Sequence, residues 1–168
     1  IQHFYPTHFS QNVAGGIDIA DLRFPIGVVA GVGQFNFPIL IPILHSSMAL
    51  VTGNTYIAKP SEKVPSISRL YADIYEDIGL PNGCFNVING NKDIVELLVR
   101  HEKVNGLAFI GSTVAAKSLK ILGGEHNTKV QALGGGKNHM IVLPDADLEM
   151  SADAAVSASF GAAGQRCM

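Results

Sequence analysis

Short apolar runs alternate along the chain with longer stretches whose apolar positions recur every three or four residues. Ile26–Val32 (IGVVAGV) has the unbroken apolar character of a strand buried on both faces, and a helix is predicted from about Pro38 to Leu50. Thr55–Lys59 (TYIAK) reads as the next strand, and Val64–Gly79 carries helical spacing up to a terminal glycine. Leu80–Gly83 (LPNG) is a turn by its proline and glycine. Cys84–Ile88, Lys92–Arg100, Gly106–Gly111 and Ser112–Leu122 then repeat strand, helix, strand, helix.

That rhythm predicts an α/β fold, with a doubly wound, mostly parallel, Rossmann-like sheet and helices on both faces. Ligands of such sheets sit beyond the carboxyl ends of the strands. Past Leu122 the pattern changes. KVQALGGGKNHMIVL reads as two strands broken by Gly134, Gly135 and Gly136, and Leu148–Ala163 as an alanine-rich helix leading into Cys167. Residues 1–24 fit neither half and are expected to form an arm or hairpin. The expected division is 1–24 as an oligomerisation arm, 25–136 as a nucleotide-binding domain, and 137–168 as the start of another domain.

Composition narrows the function classes. A chain of 168 residues with 47% hydrophobic residues can bury a core, whereas 15% charged residues is low and implies that part of the surface is covered by other protein. A net charge of −2 without basic clusters gives no footprint for nucleic acid or an anionic membrane. The longest apolar stretch, Phe37–Val51, is broken by Pro38, Pro42 and His45 and is too short to span a bilayer. The two cysteines make no disulfide framework and the histidines lack metal-ligand spacing, so no metal site is expected, and a reducing compartment is.

Three strand ends and one cysteine carry candidate chemistry. In GQFNFP, Asn36 can donate to a developing oxyanion or simply cap the following helix. In AKPSEK, Lys59 and Glu62 can together grip a ribose diol or form an ordinary polar loop. In FIGS, Gly111 ends a strand and Ser112 opens a helix, whose free N–H groups suit a pyrophosphate and whose serine also suits a plain cap. Cys84 lies in an apolar strand and reads as a core residue. Cys167 follows Gly164, Gln165 and Arg166, where backbone freedom and a neighbouring cation favour a nucleophilic thiolate.

These motifs occur together and in order, and together they resemble the aldehyde dehydrogenase superfamily over nearly the whole chain. Phe35-Asn36-Phe37-Pro38 matches the family's oxyanion-hole motif, Lys59-Pro60-Ser61-Glu62 its ribose-binding loop, Phe109-Ile110-Gly111-Ser112 its pyrophosphate site, and Gly164-Gln165-Arg166-Cys167 its nucleophile motif. The resemblance implies Cys167 and Asn36 as catalytic residues. It implies cofactor contacts at Gly33, Phe35, Lys59, Glu62, Lys63, Gly111, Ser112 and Gly134, and NAD as cofactor, since Glu62 would repel the 2′-phosphate of NADP. Ala116 departs mildly from a glycine frequent at that position.

A second departure bears on the reaction. The family usually carries Glu-Leu-Gly-Gly-Lys, whose Glu activates water, whereas this chain reads Gln131-Ala132-Leu133-Gly134-Gly135-Gly136-Lys137. Either alignment puts Leu133 or Ala132 at the base position. Water needs a base and a thiol needs far less help, so coenzyme A is the expected acyl acceptor. The chain is thereby similar to the CoA-acylating methylmalonate-semialdehyde dehydrogenase subgroup, which converts malonate or methylmalonate semialdehyde to acetyl- or propionyl-CoA with loss of CO2. Arg166 is then expected to pair with the substrate carboxylate, with a structural ion pair as the other reading. Members are several hundred residues long, so the chain is expected to be a truncated, inactive piece of a homodimeric or homotetrameric enzyme of the cytoplasm, or of the mitochondrial matrix in a eukaryote. The alternatives are a hydrolytic aldehyde dehydrogenase, with Glu125, Asp145 or Asp147 as base, and a non-catalytic nucleotide-binding module.

Overall fold

The computed structural model describes residues 8–167. It opens with an antiparallel hairpin of β1 (Phe9–Ala14) and β2 (Ile17–Ala20), joined through Gly15 and Gly16. Gly16 has φ +78°, the left-handed conformation that glycine adopts at little cost. Every residue of both strands is exposed. The first seven residues of the expected arm lie outside the described part.

Five parallel strands form the main sheet in the order β5-β4-β3-β6-β7: β3 (Val28–Val32), β4 (Thr55–Lys59), β5 (Phe85–Val87), β6 (Val104–Ile110) and β7 (Lys129–Leu133). From central β3 the chain winds outward through α1 (Leu40–Val51) and α2 (Ser66–Asp77). It then returns through α3 (Lys92–Arg100) and winds the other way through α4 (Thr113–Glu125). The two windings part between β3 and β6, so the carboxyl ends of those strands, at Val32 and Ile110, flank the switch point where such sheets bind ligands.

Each face has its own core. On one, Ala30, Val32 and Leu107 pack with Val95, Leu98 and Val99 of α3 and Leu119 and Leu122 of α4. On the other, Tyr56 and Ala58 pack with Ala49 of α1, and the Tyr56 ring stacks on Phe85 with centroids 5.7 Å apart. Gly31 is dictated by this second core, because a Cβ there would overlap the phenol of fully buried Tyr56. The α3 pattern explains itself: Asn91 caps it by accepting from Asp93 N, Asp93 sits in the first turn, Arg100 ends it, and Val95, Leu98 and Val99 form its buried stripe. In α1, Pro42 stands in the first turn, where its missing N–H would have no intrahelical partner.

The structure corrects the sequence reading in several places. Strand β3 begins at Val28 rather than Ile26, because the Ile26 and Gly27 amides both donate to Asn54 Oδ1, at 2.8 and 3.0 Å. The glycine-broken stretch 129–143 gives one strand, not two. Met140–Leu143 pair with no strand among the described residues and Ile141 is 83% exposed, so apolar β-branched sequence alone does not make a strand without a neighbour to bond to. Helix α5 (Leu148–Phe160) stops three residues before the expected end, since Ala162 and Ala163 take φ of 52° and 53° in the short 3-10 turn Gly161–Gly164.

Candidate active site

A cleft of about 950 Å³ opens at the carboxyl ends of β3, β4, β6 and β7, within the usual size range of small-molecule sites. It is lined by Gly33, Phe35, Asn36, Lys59, Glu62, Gly111, Ser112, Gly134 and Cys167. Residues spread over more than 130 positions of sequence thus meet because each lies just past a parallel strand or at the end of the chain's last helical turn.

The part of the cleft beside Lys59 and Ser112 is built from backbone and one buried cation. Gly33 N donates to Lys59 O at 2.9 Å, joining the loops after β3 and β4. The Lys59 side chain is 4% exposed and its Nζ lies 3.3 Å from Glu62 Oε2, while the Glu62 side chain stays 64% exposed. A hydrogen bond from its own backbone N–H, then the Lys59 ammonium, hold the Glu62 carboxyl below its usual range, so it is an anion open to a ligand's hydroxyl groups. Ser112 combines its two readings, capping α4 by accepting from Ala115 N at 3.3 Å while lining the cleft at that helix's N-terminus. Gly134 has to be glycine: a Cβ there would sit 2.9 Å from Thr113 Cα. Gly135 N donates to Thr113 Oγ1 at 3.1 Å and clamps the glycine loop to the start of α4.

Elsewhere in the cleft, Cys167 Sγ receives Asn36 Nδ2 at 3.6 Å and Gln34 Nε2 at 3.5 Å. Asn36 also donates to Gln165 O at 3.1 Å, and Asn138 Nδ2 donates to Cys167 O at 3.0 Å. Asn36 does not cap α1, whose N-cap is Ile39 without a side-chain bond. Cys167 itself has φ +60°, strained for a residue with a Cβ and held by these flanking bonds.

Two expected site residues lie outside the lining. Lys63 places its Nζ 4.6 Å from the centroid of Phe35, a cation–π contact that braces a lining residue. Arg166 turns back onto α5, with Nη1 donating to Ser157 O at 3.0 Å. Gln34, Thr113 and Asn138 went unmarked by sequence reasoning. For Gln34 the available signal was a second amide two residues from Asn36; nothing local marked Thr113 or Asn138, whose partners are 22 and 29 residues away. Among the described residues no cluster of three or more His, Cys, Asp or Glu side chains is arranged to hold a metal ion, and no helix is long and apolar enough to cross a membrane.

A parallel sheet with a cleft at its switch point, lined by an exposed cysteine that two side-chain amides face, is the architecture this chain presents. The chain belongs to the aldehyde dehydrogenase family, whose model matches residues 2–168. It is 43% identical over 157 residues to the malonate-semialdehyde dehydrogenase of Bacillus pumilus, covering 94% of this chain and 32% of that protein. Among solved structures it is similar to methylmalonate-semialdehyde dehydrogenase from Oceanimonas doudoroffii, with TM-score 0.89, 40% identity, and 98% of this chain and 34% of that one covered. A protein from Sinorhizobium meliloti 1021 assigned the same activity, complexed with NAD, gives TM-score 0.86 at 38% identity, again with 98% and 34% covered. The chain spans about a third of the length of these relatives.

Proposed function

We propose that the protein carrying this chain is an NAD-dependent, CoA-acylating dehydrogenase of malonate or methylmalonate semialdehyde. The carrying observation is the convergence of Cys167 Sγ, two amide donors and the Lys59–Glu62 pair in one cleft. The cradle fits a dinucleotide: glycines where a Cβ would collide, a capped helix N-terminus for phosphate, and an anionic Glu62 for a ribose diol. Lys59, Glu62, Ser112, Gly111 and Gly134 would hold NAD, with Gly33, Phe35 and Lys63 bordering it. When bound, NAD supplies the acceptor for the hydride lost by the substrate.

The chain's own residues do the rest. The Cys167 thiolate attacks the aldehyde carbon, forming a C–S bond while the carbonyl electron pair moves to oxygen. In this reading Asn36 Nδ2, 3.6 Å from the sulfur, donates to that oxyanion. Loss of hydride leaves an acyl thioester on Cys167. Transfer of the acyl group to the thiol of coenzyme A regenerates the cysteine, and departure of the β-carboxylate as CO2 leaves a carbanion that takes up a proton.

The CoA step is supported by what faces the cleft. Leu133 lines it and Ala132 is buried, so neither alignment of the glycine motif places a base there. The carboxylates that do line it, Glu62 and Glu96, are paired with Lys59 and Lys92. The candidate bases of a hydrolytic enzyme lie elsewhere: Asp147 caps α5 by accepting from Met150 N, Asp145 is outside the lining, and Glu125 ends α4, whose other end faces the cleft. A homodimer or homotetramer with a hairpin-mediated contact is part of this proposal, as is a reducing compartment such as the cytoplasm, which suits two free cysteines.

The test is NADH formation from malonate and methylmalonate semialdehyde, with and without CoA, in the protein at the length of its relatives. Turnover is expected to depend strongly on CoA and to release one CO2 per NADH. Fast steady turnover without any thiol would move the assignment to the hydrolytic class.

A further inference from the structure

We propose that Gln34 is a second catalytic amide of this site, donating Nε2–H to the Cys167 thiolate. The inference rests on Cys167 being the nucleophile and goes beyond the roles given to Asn36 and Arg166. Two side-chain nitrogens lie on one sulfur, Gln34 Nε2 at 3.5 Å and Asn36 Nδ2 at 3.6 Å. Both groups presented to this sulfur are donors, and a nucleophilic sulfur that carries negative charge accepts such bonds more strongly than a neutral one.

The two amides are not equivalent. Asn36 shares its nitrogen with Gln165 O at 3.1 Å, which ties it to the loop before Cys167. The Gln34 side chain has Cys167 Sγ as its hydrogen-bond partner among the described residues. Its loop is anchored on one side by Gly33 N bonded to Lys59 O at 2.9 Å and leads on the other into Phe35, under the Lys63 ammonium.

Charge does not replace these amides. The charged side chains lining the cleft are Lys59, Glu62, Lys92 and Glu96, and they form two ion pairs, Lys59–Glu62 and Lys92–Glu96. The neighbouring guanidinium of Arg166 is bonded to Ser157 O. Hydrogen bonds to the sulfur therefore come from neutral dipoles. Such donors favour a negatively charged sulfur, and in this cleft they are the groups that supply that stabilisation.

The experiment reads the sulfur directly, without cofactor or substrate. Carboxamidomethylation of Cys167 by iodoacetamide is followed from pH 6 to 9.5 by peptide mass spectrometry, with half-buried Cys84 as internal reference. The full-length protein is compared with Gln34→Leu and Gln34→Glu, each verified by its thermal unfolding midpoint. Gln34→Leu is expected to slow alkylation of Cys167 about tenfold at pH 7, the loss expected for one hydrogen bond to a charged group, and to converge on the parent rate at the alkaline end. Gln34→Glu, which replaces the donor by a carboxylate, is expected to slow it further, with Cys84 unchanged in both. Superimposable pH profiles for the parent and the folded variants would overturn the role of Gln34 while leaving Cys167 as nucleophile. A parent Cys167 no more reactive than Cys84 at any pH would sink the nucleophile reading and this inference with it.

Discussion

Glu62 and Arg166 illustrate how a side chain's partner sets what it can do. Glu62 is held as an anion by its own backbone N–H and by Lys59, and its exposure leaves the carboxylate free to meet a ribose. With its titration displaced downward, the anion is fully present above the ordinary carboxylate range and is lost only as pH falls through that lowered value. The preference for NAD over NADP that we propose is therefore expected to stay flat from pH 6 to 9. Glu62→Gln keeps the shape and removes the charge. The ratio of kcat/KM for NADP over NAD is expected to rise about tenfold, read by steady-state kinetics with both cofactors. Arg166 poses the opposite case, a cation whose bond is to a neutral carbonyl. A substrate carboxylate is the stronger acceptor, so exchange of Ser157 O for it is favourable if the carboxylate comes within reach. Arg166→Leu is expected to lower kcat/KM for carboxylated semialdehydes about a hundredfold more than for propanal. Equal losses for both would make Arg166 a tie between α5 and the cysteine loop.

The elements earn their positions through two cores that differ in tolerance. The face under α3 and α4 is aliphatic, with Val99 fully buried and Leu98 and Leu107 nearly so. The face under α1 is built around Tyr56, stacked on Phe85 and lying across Gly31 of the neighbouring strand. A methyl at Gly31 would overlap a side chain that has no room to move, in strands bonded on both edges. Gly31→Ala is therefore expected to destabilise the fold by about 1–3 kcal/mol, measured by urea denaturation, whereas Gly124→Ala, with open space around it, should fall well below that. An equal effect of both would mean that Tyr56 re-packs freely.

For the whole molecule, the contrast lies between a packed sheet and an uncovered remainder. Helix α5 has no buried residue, and Leu148, Met150, Val156 and Phe160 are 58–75% exposed. The hairpin adds Phe9, Ile17 and Ile19, each more than half exposed. Apolar surface of this extent drives association in water, so the 168-residue chain produced alone is expected to self-associate. Light scattering coupled to size-exclusion chromatography checks this, and a monodisperse monomer would show that these segments fold onto the sheet instead.

By itself, the sequence determined the winding order and the parallel sheet, and it marked four loops as candidates for chemistry. Buried parallel strands read as continuous apolar runs, and α3 and α4 carry their caps and their stripes locally. The glycine motif likewise shows Ala132 and Leu133 at the two positions that align with the family's usual glutamate. Tertiary structure alone decided the remainder, wherever the partner lies far along the chain. Asn36 reads locally as a helix cap, and only the fold shows that it leaves α1 uncapped and faces Cys167 Sγ, 131 residues away. Gln34 became a site residue by the same approach, at a separation of 133. Met140–Leu143 had strand composition and no strand beside it, because a ladder of hydrogen bonds belongs to two segments and one segment's residues cannot specify it.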